Sequence, residues 1–254
     1  MHDAHERIGA WWDADAHVYD DAPGHALSDP LEAACWRRVL ERTLPPAPAT
    51  VLDAGTGTGS IAFLAAELGH TVTGVDLSEG MLARAREKAA ARGLDIEFVQ
   101  RRAEVPPEGP FDAVIERHVV WTLPDPVAAL EAWRASCVAG GRLVMLEGSW
   151  GGEGPFVSAA DAIARGVDRI QGRSDHHHAA YPDDLALPLQ GVTSPVRYLE
   201  AVAEAGWTRP RLFRLRDVEW AIARRQPWPL GWLTHRPRYA IVADAPVRPS
   251  RQPG

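Results

Sequence analysis

The chain has 254 residues, 46% of them hydrophobic, which is ample for one large core with a small appendage. Its formal charge of −7 and pI near 5.8 argue against any broad phosphate-binding surface, so nucleic acid is disfavoured as a partner. Two cysteines, Cys35 and Cys137, are expected as reduced thiols; neither a leader pattern nor an apolar run of about 20 residues is found, so a cytoplasmic location without membrane association is expected.

Residues 1–44 read as polar and aromatic at first, then as a helix from about Asp29 to Leu44 that Pro45, Pro46 and Pro48 stop. From Thr50 short apolar strands alternate with amphipathic helices, the pattern of a parallel sheet with crossover helices. Strands are expected at 50–54, 71–75, 95–99, 111–116 and 141–147, and helices at 59–68, 78–92 and 125–138, with Gly140-Gly141 turning into the fifth strand. Residues 148–193 break the rhythm with Gly151, Gly152 and Gly154, a short helix near 157–171 and a polar stretch from Arg173 to Asp184. The alternation resumes with a helix at 194–205, a strand near 209–219 and a last strand at 237–244, before a tail rich in Pro and Arg.

The strongest local signal is Val51-Leu52-Asp53-Ala54-Gly55-Thr56-Gly57-Thr58-Gly59-Ser60, which leaves a strand and opens a helix. Glycines there let the backbone approach a ligand closely, and the free N–H groups of a helix start favour an anionic group. A dinucleotide fingerprint would need glycine at position 60, which is Ser60; the third glycine comes one place earlier, and Asp53 stands just before the loop. About twenty residues on, Thr71–Asp76 is a strand ending in an acid, placed so that the Asp76 carboxylate can accept two hydrogen bonds from a ribose diol. That supports a nucleoside without saying which.

Together with Gly74–Met81, Phe111–Glu116, Trp121–Pro126 and Ala139–Val144, this stretch resembles the class I S-adenosylmethionine-dependent methyltransferases, in particular the type 11 group related to the ubiquinone and menaquinone C-methylases. The resemblance runs from about Tyr19 to Val144 and more loosely beyond. It implies an α/β fold: a Rossmann-like seven-stranded sheet, mostly parallel with the last strand antiparallel, helices on both faces, and a small helical cap. It divides the chain into an N-terminal lid (1–44), a cofactor-binding core (45–147), a substrate-cap insertion (148–193), a completion of the core sheet (194–246) and a flexible tail (247–254).

The resemblance also implies roles for individual residues. Asp53, Gly55, Thr56, Gly57 and Gly59 would form the cofactor turn, with Gly55 and Gly57 passing under the methionine part; Asp76 would hold the ribose, with Leu77 and Met81 near the adenine. After the third strand the group often carries Gly-Asp-Ala, whose Asp receives the adenine amino group; here the stretch is Arg101-Arg102-Ala103-Glu104, and Arg102 cannot accept a hydrogen bond. Ala103 is then expected to meet the adenine through its N–H, with Glu104 taking the amino group. Tyr19 is expected to reach the methionine carboxylate from the lid, and Arg117 and His118 lie where the group brings the sulfonium towards its acceptor.

Methyl transfer is an in-line displacement in which alignment and water exclusion supply most of the acceleration, and a base is needed only if the acceptor must lose a proton. His118, at the carboxyl end of a central strand, and His25, in the lid, are the expected catalytic groups, as base or substrate anchor. The acceptor pocket is expected from Trp121 and from Trp150, His177 and Tyr181 of the insertion, with Trp220, Trp228 and Trp232 nearby pointing to an apolar or aromatic molecule. His176-His177-His178 is not expected to bind metal, since consecutive residues of an extended chain point to alternating sides. The partner is thus a small-molecule methyl acceptor, modified on O or N. The apolar stripe Val157–Ile170 is helix packing or a homodimer face, and the habit of the group with the Arg-rich composition points to bacterial secondary metabolism. A nicotinamide-dependent oxidoreductase, and a non-methylating regulator or cyclase that binds the same cofactor, are the competing readings.

Overall fold

The computed structural model describes residues 2–21, 24–149, 185–225, 228–233 and 236–247, with positions 163 and 166. Seven strands form one sheet: β1 (Thr50–Ala54), β2 (Thr71–Asp76), β3 (Glu97–Gln100), β4 (Phe111–Arg117), β5 (Cys137–Gly148), β6 (Thr208–Arg214) and β7 (Arg238–Asp244). Their order is β3-β2-β1-β4-β5-β7-β6, with β7 antiparallel to both neighbours and all other pairs parallel. The order reverses between β1 and β4, and the crevice above their carboxyl ends is where open α/β sheets bind ligands.

The helices are α1 (His2–Asp15), α2 (Pro30–Thr43), α3 (Ser60–Glu67), α4 (Glu79–Arg92), α5 (Pro126–Ser136), α6 (Val196–Glu204), α7 (Arg216–Ala223) and α8 (Leu230–Leu233). Their starts follow from local chemistry. Asp29 accepts from the N–H groups of Leu31 (3.1 Å) and Glu32 (2.9 Å) at the head of α2, Ser78 from Met81 (3.0 Å) at α4, and Asp125 from Ala128 (2.9 Å) at α5. Successive strand residues point to opposite faces, so each face has its own core: Leu52, Val114 and Met145 pack with Trp133 and Trp207 on one side, Val51, Ile115 and Val144 with Trp36 and Ile61 on the other.

Two expectations need correction. The strand expected near 209–219 ends at Arg214, and α7 follows; Leu215, Val218 and Ala221 recur at three-residue spacing and are all buried, a helical stripe that overrides strand alternation. Strand β5 begins at Cys137, ahead of the glycine pair, because Gly140 takes φ 78° and keeps pairing, its N–H reaching the carbonyl of Ala245 at 3.2 Å. The opening segment is a helix, α1, whose helical stripe is little more than Ile8 and Trp11.

Trp133 shows what the core demands: it is fully buried and its Nε1–H donates to the carbonyl of Ala103 at 2.7 Å, tying α5 to the loop after β3. Trp133→Ala is expected to lower unfolding free energy by about 3–5 kcal/mol in urea titration; a loss under about 1 kcal/mol contradicts this packing.

Candidate active site

Between β1 and α3 the chain reverses through three glycines at positive φ. A Cβ on Gly55, at φ 71°, would stand 2.5 Å from Cγ2 of Val119. At Gly57 (φ 55°) the same direction is open space, with only the Tyr19 ring at 3.9 Å, so the backbone there presents itself to a ligand. Thr56 closes the turn, its N–H donating to the carbonyl of Val75 at 2.8 Å and its hydroxyl to Asp53 Oδ2 at 2.7 Å. Asp76, ending β2, accepts the Gly57 N–H at 2.8 Å on Oδ2 and the Ser78 N–H at 2.9 Å on Oδ1.

Above this turn lies a cavity that opens to solvent. Its floor and far wall hold Gly55, Gly57, Asp76, Leu77, Met81, Ala103, Glu104, Arg117 and His118, all expected from sequence. Tyr19, also expected, covers it from the segment after α1. Asp53, Thr56 and Tyr19 line an adjoining space of about 280 Å³ under the same turn, so Asp53 and Thr56 shape the turn from below. Gly59 caps α3 at φ 87°, packed on Phe63, and lines neither space. Nor do His25 and Trp121; Trp121 packs half-buried against the core beside β4. Trp150, His177 and Tyr181, with most of the expected cap, lie outside the described residues.

Of the expected lid, sequence reading named Tyr19 and His25 but not the residues of α1. Helix α1 contributes His5, Ile8 and Trp12 to the cavity wall. It docks by polar ends: Asp13 accepts from the Gly80 N–H at 3.0 Å and from the Ser78 hydroxyl at the start of α4, where the helix dipole favours an anion. His5 Nε2 meets Glu104 Oε1 at 2.7 Å, so the carboxylate expected to read the adenine is bonded to α1. After α1, Asp20 takes the Thr58 hydroxyl at 2.6 Å and the Lys88 ammonium at 2.7 Å, while Arg117 donates to the carbonyls of Gly24 (3.0 Å) and His25 (3.1 Å). The His25 ring stacks 4.1 Å from that of Tyr19. These contacts hold Tyr19, Asp20, Gly24 and His25 across the mouth of the glycine turn.

Burial sets the electrostatics. It raises the Asp53 and Asp76 carboxyls to about 6 each, against the Thr56 hydroxyl on Asp53 and the Ser78 and Gly57 N–H groups on Asp76. It raises the Tyr19 hydroxyl, with Arg117 opposing, and lowers His118 well below the ordinary imidazole value, helped by Arg238, Arg117 and His25.

The donor set fits an adenosine with an amino-acid tail. The carboxylate oxygens of Asp76 each keep acceptor capacity beyond their one N–H. Leu77, Met81 and Ile8 form apolar walls for a flat base, and the open Gly57 face is a cradle that any side chain would fill.

Comparison with known proteins leads to the same place. Residues 51–141 match the family described as Methyltransferase domain. The demethylmenaquinone methyltransferase of Thermus thermophilus is 41% identical over 117 residues, 44% of this chain and 53% of that protein. The ubiquinone biosynthesis O-methyltransferase of Xanthomonas axonopodis pv. citri is 29% identical over 217 residues, 83% of this chain and 86% of its own length. The crystal structure of geranyl diphosphate C-methyltransferase from Streptomyces coelicolor A3(2), with Mg2+, geranyl diphosphate and S-adenosyl-L-homocysteine, superposes with a TM-score of 0.64 at 18% identity, covering 95% of this chain and 98% of that one, and shows the shared fold.

The chain is thus similar to methyltransferases, with the family match confined to residues 51–141. It spans about half the length of the Thermus relative. Among its described residues no helix is long and apolar enough to cross a membrane.

Because an ionised Asp76 is the better acceptor for ribose hydroxyls, affinity for S-adenosylmethionine is expected to fall on acidification through about pH 6 and to level off above it. Asp76→Ala is expected to reduce affinity at neutral pH by at least about tenfold in calorimetry; unchanged binding removes the ribose assignment.

Proposed function

We propose that this protein is a methyltransferase that moves the methyl group of S-adenosylmethionine to an oxygen or nitrogen atom of a small, apolar or aromatic acceptor. The observation that carries the reading is the Asp76 carboxylate facing a cavity walled by the glycine turn on one side and by Leu77, Met81 and Ile8 on the other. Bound there, the cofactor supplies the electrophilic methyl carbon. The protein's residues do the rest. Asp76 receives the ribose hydroxyls, and Leu77, Met81 and Ile8 enclose the base. Arg117, which spends two donors on the Gly24 and His25 carbonyls, has others for the cofactor's carboxylate, beside the Tyr19 hydroxyl.

At the opposite end Trp12, Val119, Thr122, Leu123 and Pro124 give a largely apolar rim, which supports an apolar acceptor over a charged one. The Xanthomonas relative, an O-methyltransferase by name, aligns with most of this chain and supports oxygen as the first atom to test. Trp150, His177 and Tyr181 are proposed to complete the acceptor side from the insertion. Trp220 and Trp228 are 46% and 84% exposed and give the acceptor no enclosure in this form.

S-adenosylmethionine or S-adenosylhomocysteine at about 100 times its dissociation constant is expected to stabilise the protein by about 2.7 kcal/mol, seen as a shift in thermal unfolding. Incubation with the sulfonium cofactor and a panel of small phenols, catechols and aromatic amines is expected to yield a product heavier by one methylene in mass spectrometry. A protein that ignores both compounds but is stabilised by a nicotinamide dinucleotide overturns the reading.

A further inference from the structure

His118 follows the last residue of β4 with φ 62°, a left-handed conformation that costs a side-chain-bearing residue of order 1 kcal/mol and clusters at functional positions. Its ring is held from both sides. Nε2 stands 2.9 Å from Nη1 of Arg238, the first residue of β7, and Nδ1 stands 3.4 Å from Oε2 of Glu147, one residue before the end of β5. A guanidinium has no acceptor and cannot be deprotonated here, so Nε2 must be the lone-pair nitrogen and Nδ1 must carry the hydrogen that Glu147 receives. Arg238 is itself fixed, its backbone N–H donating to Glu219 Oε1 at 2.8 Å. Glu147 is only 1% exposed, so its charge is set by this cluster and not by water. The ends of three neighbouring strands thus meet at this ring, and of the three residues His118 lines the cavity.

We propose, on the methyltransferase reading of the cavity, that Glu147 and Arg238 are positioning residues that lock His118 as the neutral imidazole with its hydrogen on Nδ1, making it an uncharged wall beside the sulfonium and not the acceptor's base. The charged and titratable groups that face the ring among the described residues are Arg117 on β4, Glu147 on β5, Arg238 on β7 and His25 from the segment after α1. Glu147 alone favours an imidazolium; two guanidiniums and burial oppose it and prevail. The benefit is electrostatic. A protonated His118 would repel a sulfonium cofactor, whereas a neutral one does not, and the acceptor must then arrive as a nucleophile that needs no base from this ring.

The test is nitrogen-15 NMR of the full chain with labelled histidine, read without cofactor, so that it stands or falls apart from the methyltransferase reading. His118 is expected to show the Nδ1–H tautomer from about pH 8 down to about pH 5.5. Glu147→Gln, whose amide oxygen still accepts, keeps that tautomer, and Glu147→Ala gives a mixture. Arg238→Met raises the His118 titration without restoring the ordinary imidazole value, because burial, the largest cause of its depression, remains. In that variant the affinity for S-adenosylmethionine relative to the neutral S-adenosylhomocysteine begins to fall on acidification at a higher pH than in the unaltered protein. Should Arg238→Met fail to fold, the titration of the unaltered protein decides. A His118 that titrates near 6.5 there, or carries its hydrogen on Nε2, overturns the proposal. Failure of S-adenosylmethionine to bind at all would instead sink the reading of the cavity.

Discussion

One carboxylate joins the two turns on which the site is built. Strands β1 and β2 run parallel with Ala54 opposite Val75, so the turn leaving β1 and the acid ending β2 emerge side by side. Asp76 takes an N–H from each turn, Gly57 on one oxygen and Ser78 on the other. An acid so buried is costly to ionise, which is why its carboxyl stands near 6, yet these charge-assisted bonds are what keep the anion in place. The same group therefore stiffens the empty site and recognises the ligand, and the glycine turn has its shape before any nucleoside arrives.

The cover over the site is made differently. Its attachments are mostly polar: Asp13 at the start of α4, Asp20 between Thr58 and Lys88, His5 against Glu104, Arg117 under the carbonyls of Gly24 and His25. Polar bonds near solvent are each worth little and exchange readily with water. A wall of that kind can release and re-form, whereas the apolar floor formed by Leu77 and Met81 belongs to the body of the sheet and its helices. The floor is held by packing and the cover chiefly by polar bonds.

How far the site could be read from sequence follows the same division. The floor comes from contiguous motifs: a glycine turn, an acid at a strand end, a short run after β3. Their spacing marks Gly57 and Asp76, the family resemblance adds Leu77 and Ala103, and all four line one cavity. The cover and the acceptor end depend on pairs far apart in the chain. His5 meets Glu104 across 99 positions, Asp13 meets Gly80 across 67, and His118 draws Glu147 from 29 positions away and Arg238 from 120. No local pattern carries such pairs, and α1 has too narrow an apolar stripe to announce itself as a helix; its docking partner, the start of α4, supplies what its own sequence lacks. The boundary between β6 and α7 was hidden for another reason, since Leu212 and Phe213 run directly into Leu215 and Val218 and one apolar run reads as one element.

Lys88 is the only lysine in the chain, and its ammonium clasps Asp20 at 2.7 Å on the inner side of the cover. Amine-directed chemistry, whether a coupling reagent, a fluorophore or a crosslinker, thus has a single side chain to find. Attaching the protein to a sensor chip or a bead through its lysine would sever the clasp and leave Asp20 with the Thr58 hydroxyl, so immobilised material would lack one bond that the free protein keeps.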